Sequence, residues 1–155
     1  MDAVYRLSLA ILGDEADARD AAQETFISAW RQIGRVRDVA RFDAWLQRVA
    51  VNTARMTHRA RRRRGVREIA ASQLSPIADQ PISAAPARSD GHTLNVALGH
   101  LDLDQRSILV LHHLEGRSLA DLAEILGIPV GTVKSRLHTA RRALQAAIDA
   151  ETRDR

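Results

Sequence analysis

Apolar residues in the first third of the chain recur with a helical period. Val4, Leu7 and Ile11 fall on one side of a short segment that stops near Gly13. Asp14 is placed to cap the next helix, with Asp17 three residues on, and acids in a first turn suit the positive end of a helix dipole. Ala22, Phe26, Ala29, Trp30 and Ile33 then share one face of a second helix that Gly34 closes. Phe42, Leu46, Val49, Thr53 and Met56 mark the expected buried side of a third, which starts around Arg41 to Asp43. No window alternates apolar and polar positions strictly, so no strand is expected.

The pattern then lapses. From Ser72 to Asp90 the chain holds Pro76, Pro81 and Pro86 and no apolar stripe, which favours extended, solvated backbone. The expected architecture is therefore all-α. Two small helical domains, 1–66 and 93–150, are joined by a flexible proline-containing linker over 67–92. Each flank is of about 60 residues, a size at which burial is marginal.

The second domain carries a more specific pattern. Leu94, Leu98 and Leu101 open it, and Leu103, Ile108, Leu109, Leu111 and Leu114 continue it until Gly116 breaks the chain. Ser118 with Asp121 reads as a capping box with Asp in place of Glu. Leu119, Leu122, Ala123 and Leu126 form a short stripe, Gly127 ends it, and Ile128-Pro129 starts the next helix after a tight turn. That is a helix-turn-helix layout. On the last helix Val133, Leu137, Ala140 and Leu144 cluster on one side and are the expected buried stripe. Ser135, His138, Thr139 and Arg142 lie roughly opposite, flanked by Lys134, Arg136, Arg141 and Gln145. Such a face reaches base edges and phosphates in a major groove, its N-terminal half reading bases and Arg141 and Arg142 meeting phosphates. An ordinary solvated face is the competing reading.

Charge sharpens the picture. The chain has 23 Lys+Arg against 19 Asp+Glu, a net of +4, and every cation but Lys134 is arginine. Residues 31–67 hold twelve arginines against two aspartates, while residues 1–30 hold two arginines against six acids. A weaker basic segment covers 131–155. Two separated basic segments point to two contacts with a polyanion, nucleic acid above all. For Arg61 to Arg64 taken alone, a solvated helix end competes.

Several functions are disfavoured. Cysteine is absent, which excludes a disulfide scaffold, a thiolate metal site and a cysteine nucleophile. No apolar run approaches the roughly 18 residues of a membrane span, and no signal-like core opens the chain, so a cytoplasmic protein is expected. The histidines are scattered, and His112 and His113 are expected to point apart, a poor metal geometry. No phosphate-cradling glycine loop, nucleophile elbow or spaced carboxylate pair occurs. An enzyme, a metal, a cofactor or a small-molecule substrate is not expected.

Four segments carry a resemblance. L-S-L-A-I-L-G-D-E-A-D-A-R-D (Leu7 to Asp20) precedes A-Q-E-T-F-I-S-A-W (Ala22 to Trp30). F-D-A-W-L-Q-R-V-A-V-N-T-A-R (Phe42 to Arg55) and E-G-R-S-L-A-D-L-A-E-I-L-G-I-P-V-G-T-V-K-S-R-L-H-T-A-R-R-A-L (Glu115 to Leu144) follow. Their order and spacing resemble the sigma-70 family of transcription initiation factors, in its small extracytoplasmic-function (ECF) group. The resemblance implies a factor that binds core RNA polymerase, directs it to promoters and helps open the −10 element. It implies polymerase contacts at Asp20, Gln23, Glu24 and Arg31, with Phe26 and Trp30 holding their helix in the bundle.

For the −10 element it implies charge from Arg41, Arg48, Arg55 and Arg59, and an Asn52 bond to a base edge or phosphate. The loop 36–40 would hold a flipped base. Trp45 is either core or free near the strand fork. For the −35 element it implies Thr132, Lys134, Ser135, Arg136, His138 and Thr139, with Arg141 and Arg142. Thr139 stands where arginine is common, which should change the −35 preference. Leu46 follows Trp45 where primary sigma factors carry a second tryptophan, implying weaker melting and greater stringency. Met1 lies close to the first motif, so a short first helix is expected.

The implied partners are core polymerase, promoter DNA (duplex at −35, melted at −10) and an anti-sigma factor, often membrane-tethered. Two other readings compete. The docking motif argues against a stand-alone helix-turn-helix regulator. The acidic N-terminus and patterned helices argue against an arginine-rich packaging protein.

Overall fold

Gly13 adopts a positive φ of 72° and turns the chain between the first two helices. Directly after it, the Asp14 side chain accepts from the Asp17 N–H at 2.9 Å, the expected cap. The computed structural model describes residues 2–71 and 89–153. Helices α1 (Asp2–Leu12), α2 (Glu15–Gln32) and α3 (Phe42–Ala71) form an N-terminal unit, with two 3-10 turns, Ile33–Arg35 and Val39–Arg41, between α2 and α3. Helices α4 (Ser89–Gly99), α5 (Leu103–Leu109), α6 (Leu119–Leu126) and α7 (Val130–Arg153) form a C-terminal unit. The expected linker lies outside the described residues at 72–88, while 67–71 belong to α3 and 89–92 to α4. Among the described residues there is no strand.

The N-terminal unit packs on small side chains. The buried face of α2 is Ala18, Ala21, Ala22, Thr25 and Ala29. Across it, the hydroxyls of Thr25 and Thr53 meet at 2.6 Å, and Thr25 also reaches the Ala21 carbonyl. A contact face of alanine and threonine leaves no room for an indole. Trp30, expected in the bundle, is 80% exposed, and Ile33 is also exposed, while Phe26 sits half-buried at the edge of the core. On α3, Val49, Ala50, Val51, Thr53 and Ala54 are all buried, because α1 and α2 cover one side of the helix and α6 another. Met56, expected inside, is exposed because beyond Ala54 the face of α3 that packs on α2 runs through half-buried Thr57 to Arg61, away from Met56.

The C-terminal unit follows its caps. Asp102 and Gln105 make a reciprocal capping box ahead of α5 that the sequence reading did not identify. Ser118 and Asp121 make the expected one ahead of α6. Gly127, at φ 67°, ends α6 in the left-handed conformation, and α7 leaves at once. Val133, Leu137 and Ala140 are buried as expected, joined by Leu122 and Ile125 from α6. A π turn, Val110–Leu114, extends α5. Its wider winding rotates Leu114 to the surface, against expectation. Leu94 is exposed as well.

The two units share one continuous apolar cluster. Beneath it lies Arg106, only 9% exposed. Its Nη1 donates to the Ile11 carbonyl at 2.9 Å, and its Nη2 to those of Gly99 and Leu101 at 3.2 Å. Ile11 and Gly99 stand at the C-terminal ends of α1 and α4, where backbone carbonyls lack partners and the dipole favours a cation. One guanidinium thus satisfies two helix ends from different units. Among the described residues no helix is long and apolar enough to cross a membrane.

Replacing Arg106 with leucine leaves those carbonyls buried without a donor. It should lower unfolding free energy by about 2–4 kcal/mol in urea titration. Arg62→Leu, on the exposed part of α3, should change it by less than about 0.5 kcal/mol.

Candidate functional site

The structure brings the sequence-predicted residues into three surfaces. The first is a row along α3. Trp45, Arg48, Asn52, Arg55 and Arg59 fall within about 80° of arc and span about 21 Å of helix, and Arg41 stands at their head in the 3-10 turn before α3. Arg48, Asn52 and Arg59 are exposed. Trp45 is half-buried, its ring 5.6 Å from that of Phe42 and tilted against it, so it is neither fully core nor free. Arg41 lies 3.6 Å from both Asp38 and Glu124. Arg55 directs Nε and Nη2 to one Asp104 oxygen, each at 3.0 Å. In the preceding loop Asp38 caps Ala40 and Val39 is 86% exposed. A row of guanidinium groups with an indole and an amide can follow a phosphate backbone and stack an unpaired base.

Further along α3, Arg61 is drawn back to Asp17 at 2.9 Å and Asp14 at 3.7 Å, so it supports the bundle. Arg62, Arg63 and Arg64 remain in solvent.

The second surface is on α2. Asp20, Gln23, Glu24, Ile27 and Arg31 share an exposed face about 100° wide, with Trp30 at its border. Glu24 is held by Ser28 at 3.3 Å. The sequence reading found the polar members and missed Ile27 and Trp30. The signal was present in Ala18, Ala21, Ala22, Thr25 and Ala29, a small-residue stripe that already fills the buried face.

The third surface is on α7. Lys134, Ser135, Arg136, His138, Thr139, Arg141 and Arg142 are exposed. Thr132 is half-buried, and its carbonyl accepts from the Ser135 hydroxyl at 3.0 Å. Arg141 is tethered, donating through Nε to His113 Nε2 at 3.3 Å. Burial, then the charge of Arg141, then His112 hold the His113 pKa below its ordinary value, which keeps the ring a neutral acceptor. The rings of His112 and His113 touch edge to face at 4.8 Å rather than pointing apart. Among the described residues no group of three or more side chains could hold a metal ion. Ser135, Arg136 and Thr139 border a cleft of about 290 Å³ whose other wall is Asp102, Asp104, Gln105 and Ile108.

Side chains that link these surfaces were invisible to spacing. Gln47 donates to Glu115 at 2.9 Å and accepts from Arg117 Nε at 2.8 Å, across positions 68 and 70 residues apart.

Comparison with known proteins places both units. The family model Sigma-70 region 2 matches residues 1–64, and Sigma-70, region 4 matches residues 92–144. The chain is 36% identical to the ECF RNA polymerase sigma factor SigL of Mycobacterium tuberculosis, over 94% of this chain and 82% of that one. It is 32% identical to the ECF RNA polymerase sigma factor SigW of Bacillus subtilis, over 93% and 82%. Among solved structures, the sigma factor RpoE from Bartonella quintana, in complex with the anti-sigma factor NepR, aligns with a TM-score of 0.69. That alignment has 26% identity and covers 96% of this chain and 91% of the other.

The cap that presents the helix-turn-helix can be titrated. The Ser118 hydroxyl, then its backbone N–H, hold Asp121 below the ordinary carboxylate pKa. A depressed carboxylate stabilises the fold above its unfolded pKa, and that contribution is lost as pH falls from about 4 through the depressed value. Ser118→Ala should return the Asp121 pKa toward the ordinary range in an NMR titration and cost about 1 kcal/mol of stability at neutral pH.

Proposed function

Because the chain belongs to the ECF branch of the sigma-70 family, we propose that it is a transcription initiation factor. It binds core RNA polymerase, brings it to specific promoters and helps open the −10 element. The α2 face docks on polymerase through Asp20, Gln23, Glu24 and Arg31, with Ile27 and Trp30 supplying apolar area. The α3 row takes the −10 element: Arg41, Arg48, Arg55 and Arg59 hold the strand, Asn52 bonds a base or phosphate, and Trp45 supports an unstacked base. The exposed face of α7 takes the −35 duplex, with Thr132, Lys134, Ser135, Arg136, His138 and Thr139 toward bases and Arg141 and Arg142 toward phosphates. RNA synthesis is left to the polymerase. The protein acts in the cytoplasm, where it is held in reserve by an anti-sigma factor, as suggested by the partner in the RpoE structure.

One observation favours this reading over a stand-alone regulator. An indole 80% exposed beside a polar helix face, remote from the helix-turn-helix, is what a protein docking surface presents.

Trp30→Ala should weaken binding to core polymerase about tenfold or more, while unfolding stability stays within about 0.5 kcal/mol. Unaltered polymerase binding would move the dock elsewhere. Arg136→Ala should weaken −35 recognition by about 1–3 kcal/mol in promoter-binding titrations with holoenzyme and leave polymerase affinity as it was. Unchanged promoter use would remove Arg136 from the reading surface.

A further inference from the structure

We propose that His113 is a positioning residue for the −35 contact: it holds Arg141 by Nε so that the outer edge of the guanidinium faces a DNA phosphate. The inference rests on the α7 face being the −35 surface and deepens that reading. Arg141 stands two turns beyond Lys134 on α7, within about 20° of the same line, so the two cations lie about 10 Å apart along the helix. A free arginine samples many rotamers and gives up that freedom on meeting DNA. Here the Arg141 Nε donates to His113 Nε2 at 3.3 Å. With Nε engaged, the outward N–H groups of Nη1 and Nη2 remain, and as a pair they match two phosphate oxygens.

His113 can act this way because of where the chain puts it. The π turn Val110–Leu114 continues α5, which packs on α7. Inside that turn the ring of His112 meets the ring of His113 edge to face at 4.8 Å. His112 is itself fixed, its Nδ1 2.8 Å from the Arg117 carbonyl. A carbonyl only accepts, so His112 carries a proton on Nδ1 and donates it there. The turn ahead of the helix-turn-helix thus braces His112, His112 braces His113, and His113 holds Arg141. Burial, then Arg141, then His112 disfavour a second proton on the His113 ring, which leaves the Nε2 lone pair to accept at neutral pH.

The test uses holoenzyme assembled from the full chain and core polymerase. The probe is a fluorescein-labelled duplex covering both upstream elements of a start site mapped with that holoenzyme, titrated between about 50 and 200 mM salt. His113→Phe keeps an aromatic edge against His112 and removes the acceptor. His113→Gln loses the ring and puts an amide oxygen where Nε2 stood. His113→Phe should bind about three- to fivefold more weakly, with a shallower salt dependence, and His113→Gln should recover most of that loss. Added to Arg141→Ala, His113→Phe should cause no further loss. In the free protein, NMR should show the Arg141 Nε–H exchanging with solvent faster in His113→Phe than in wild type. The proposal is overturned by wild-type affinity in His113→Phe, by His113→Gln binding no better than His113→Phe, by a loss that persists without Arg141, or by an unaltered exchange rate. A contact that only stapled the π turn to α7 would give the second or third of these. The −35 reading is judged apart by Arg141→Ala, which should weaken binding and flatten the salt slope by about one. No change there takes Arg141 off the phosphates and its positioning role with it, while the Nε–H exchange still shows whether His113 holds the side chain.

Discussion

The structure turns on Arg106. A buried guanidinium is costly to desolvate, and it persists here because three carbonyls surround it. Two of them belong to helix ends that would otherwise be orphaned, one in each unit. The contact ties the end of α1 to the α4–α5 turn, while α6 packs directly on α3. The shared apolar cluster and the polar contacts of Gln47, Arg55 and Arg41 join the same two units.

A second constraint decides what the N-terminal unit shows to its surroundings. Small side chains and a pair of buried threonine hydroxyls join α2 to α3. With that face filled by alanine, the large residues of α2 are pushed to its rim and surface. The same packing turns the arginine row of α3 away from α2. Core and function are thus two sides of one pattern: the residues too small to bind a partner make the fold, and those too large for the fold meet the partner.

The parts legible in the sequence were local ones. Asp14, Ser118 and Gly127 act within three or four residues of their own position, so their chemistry was readable without neighbours. The α7 face was legible for the same reason, since a strong apolar stripe leaves its opposite side free. Trp30 and Met56 were misplaced because helical periodicity offers adjoining faces without saying which of them the neighbouring helix covers. For Trp30, size also misled: aromatic bulk drew the stripe toward Phe26 and Trp30, when the alanines one position round the helix were the packed set. The role of Arg106 was not legible, because its carbonyl partners carry no sequence signal. The contacts of Gln47 and Arg55 join positions scores of residues apart and exist only once the two units have docked. The rings of His112 and His113 meet because a π turn, which periodicity does not reveal, changes their angular separation.

The central claim is that this chain gives core RNA polymerase a choice of promoter. The direct measurement is in vitro transcription by core polymerase on a genomic fragment library, with and without the protein, with RNA 5′ ends mapped. The account predicts start sites that appear only with the protein and share two upstream elements at fixed spacing. Start sites that do not change when the protein is added, together with tight binding of the protein alone to duplex DNA, would contradict it and leave a stand-alone regulator.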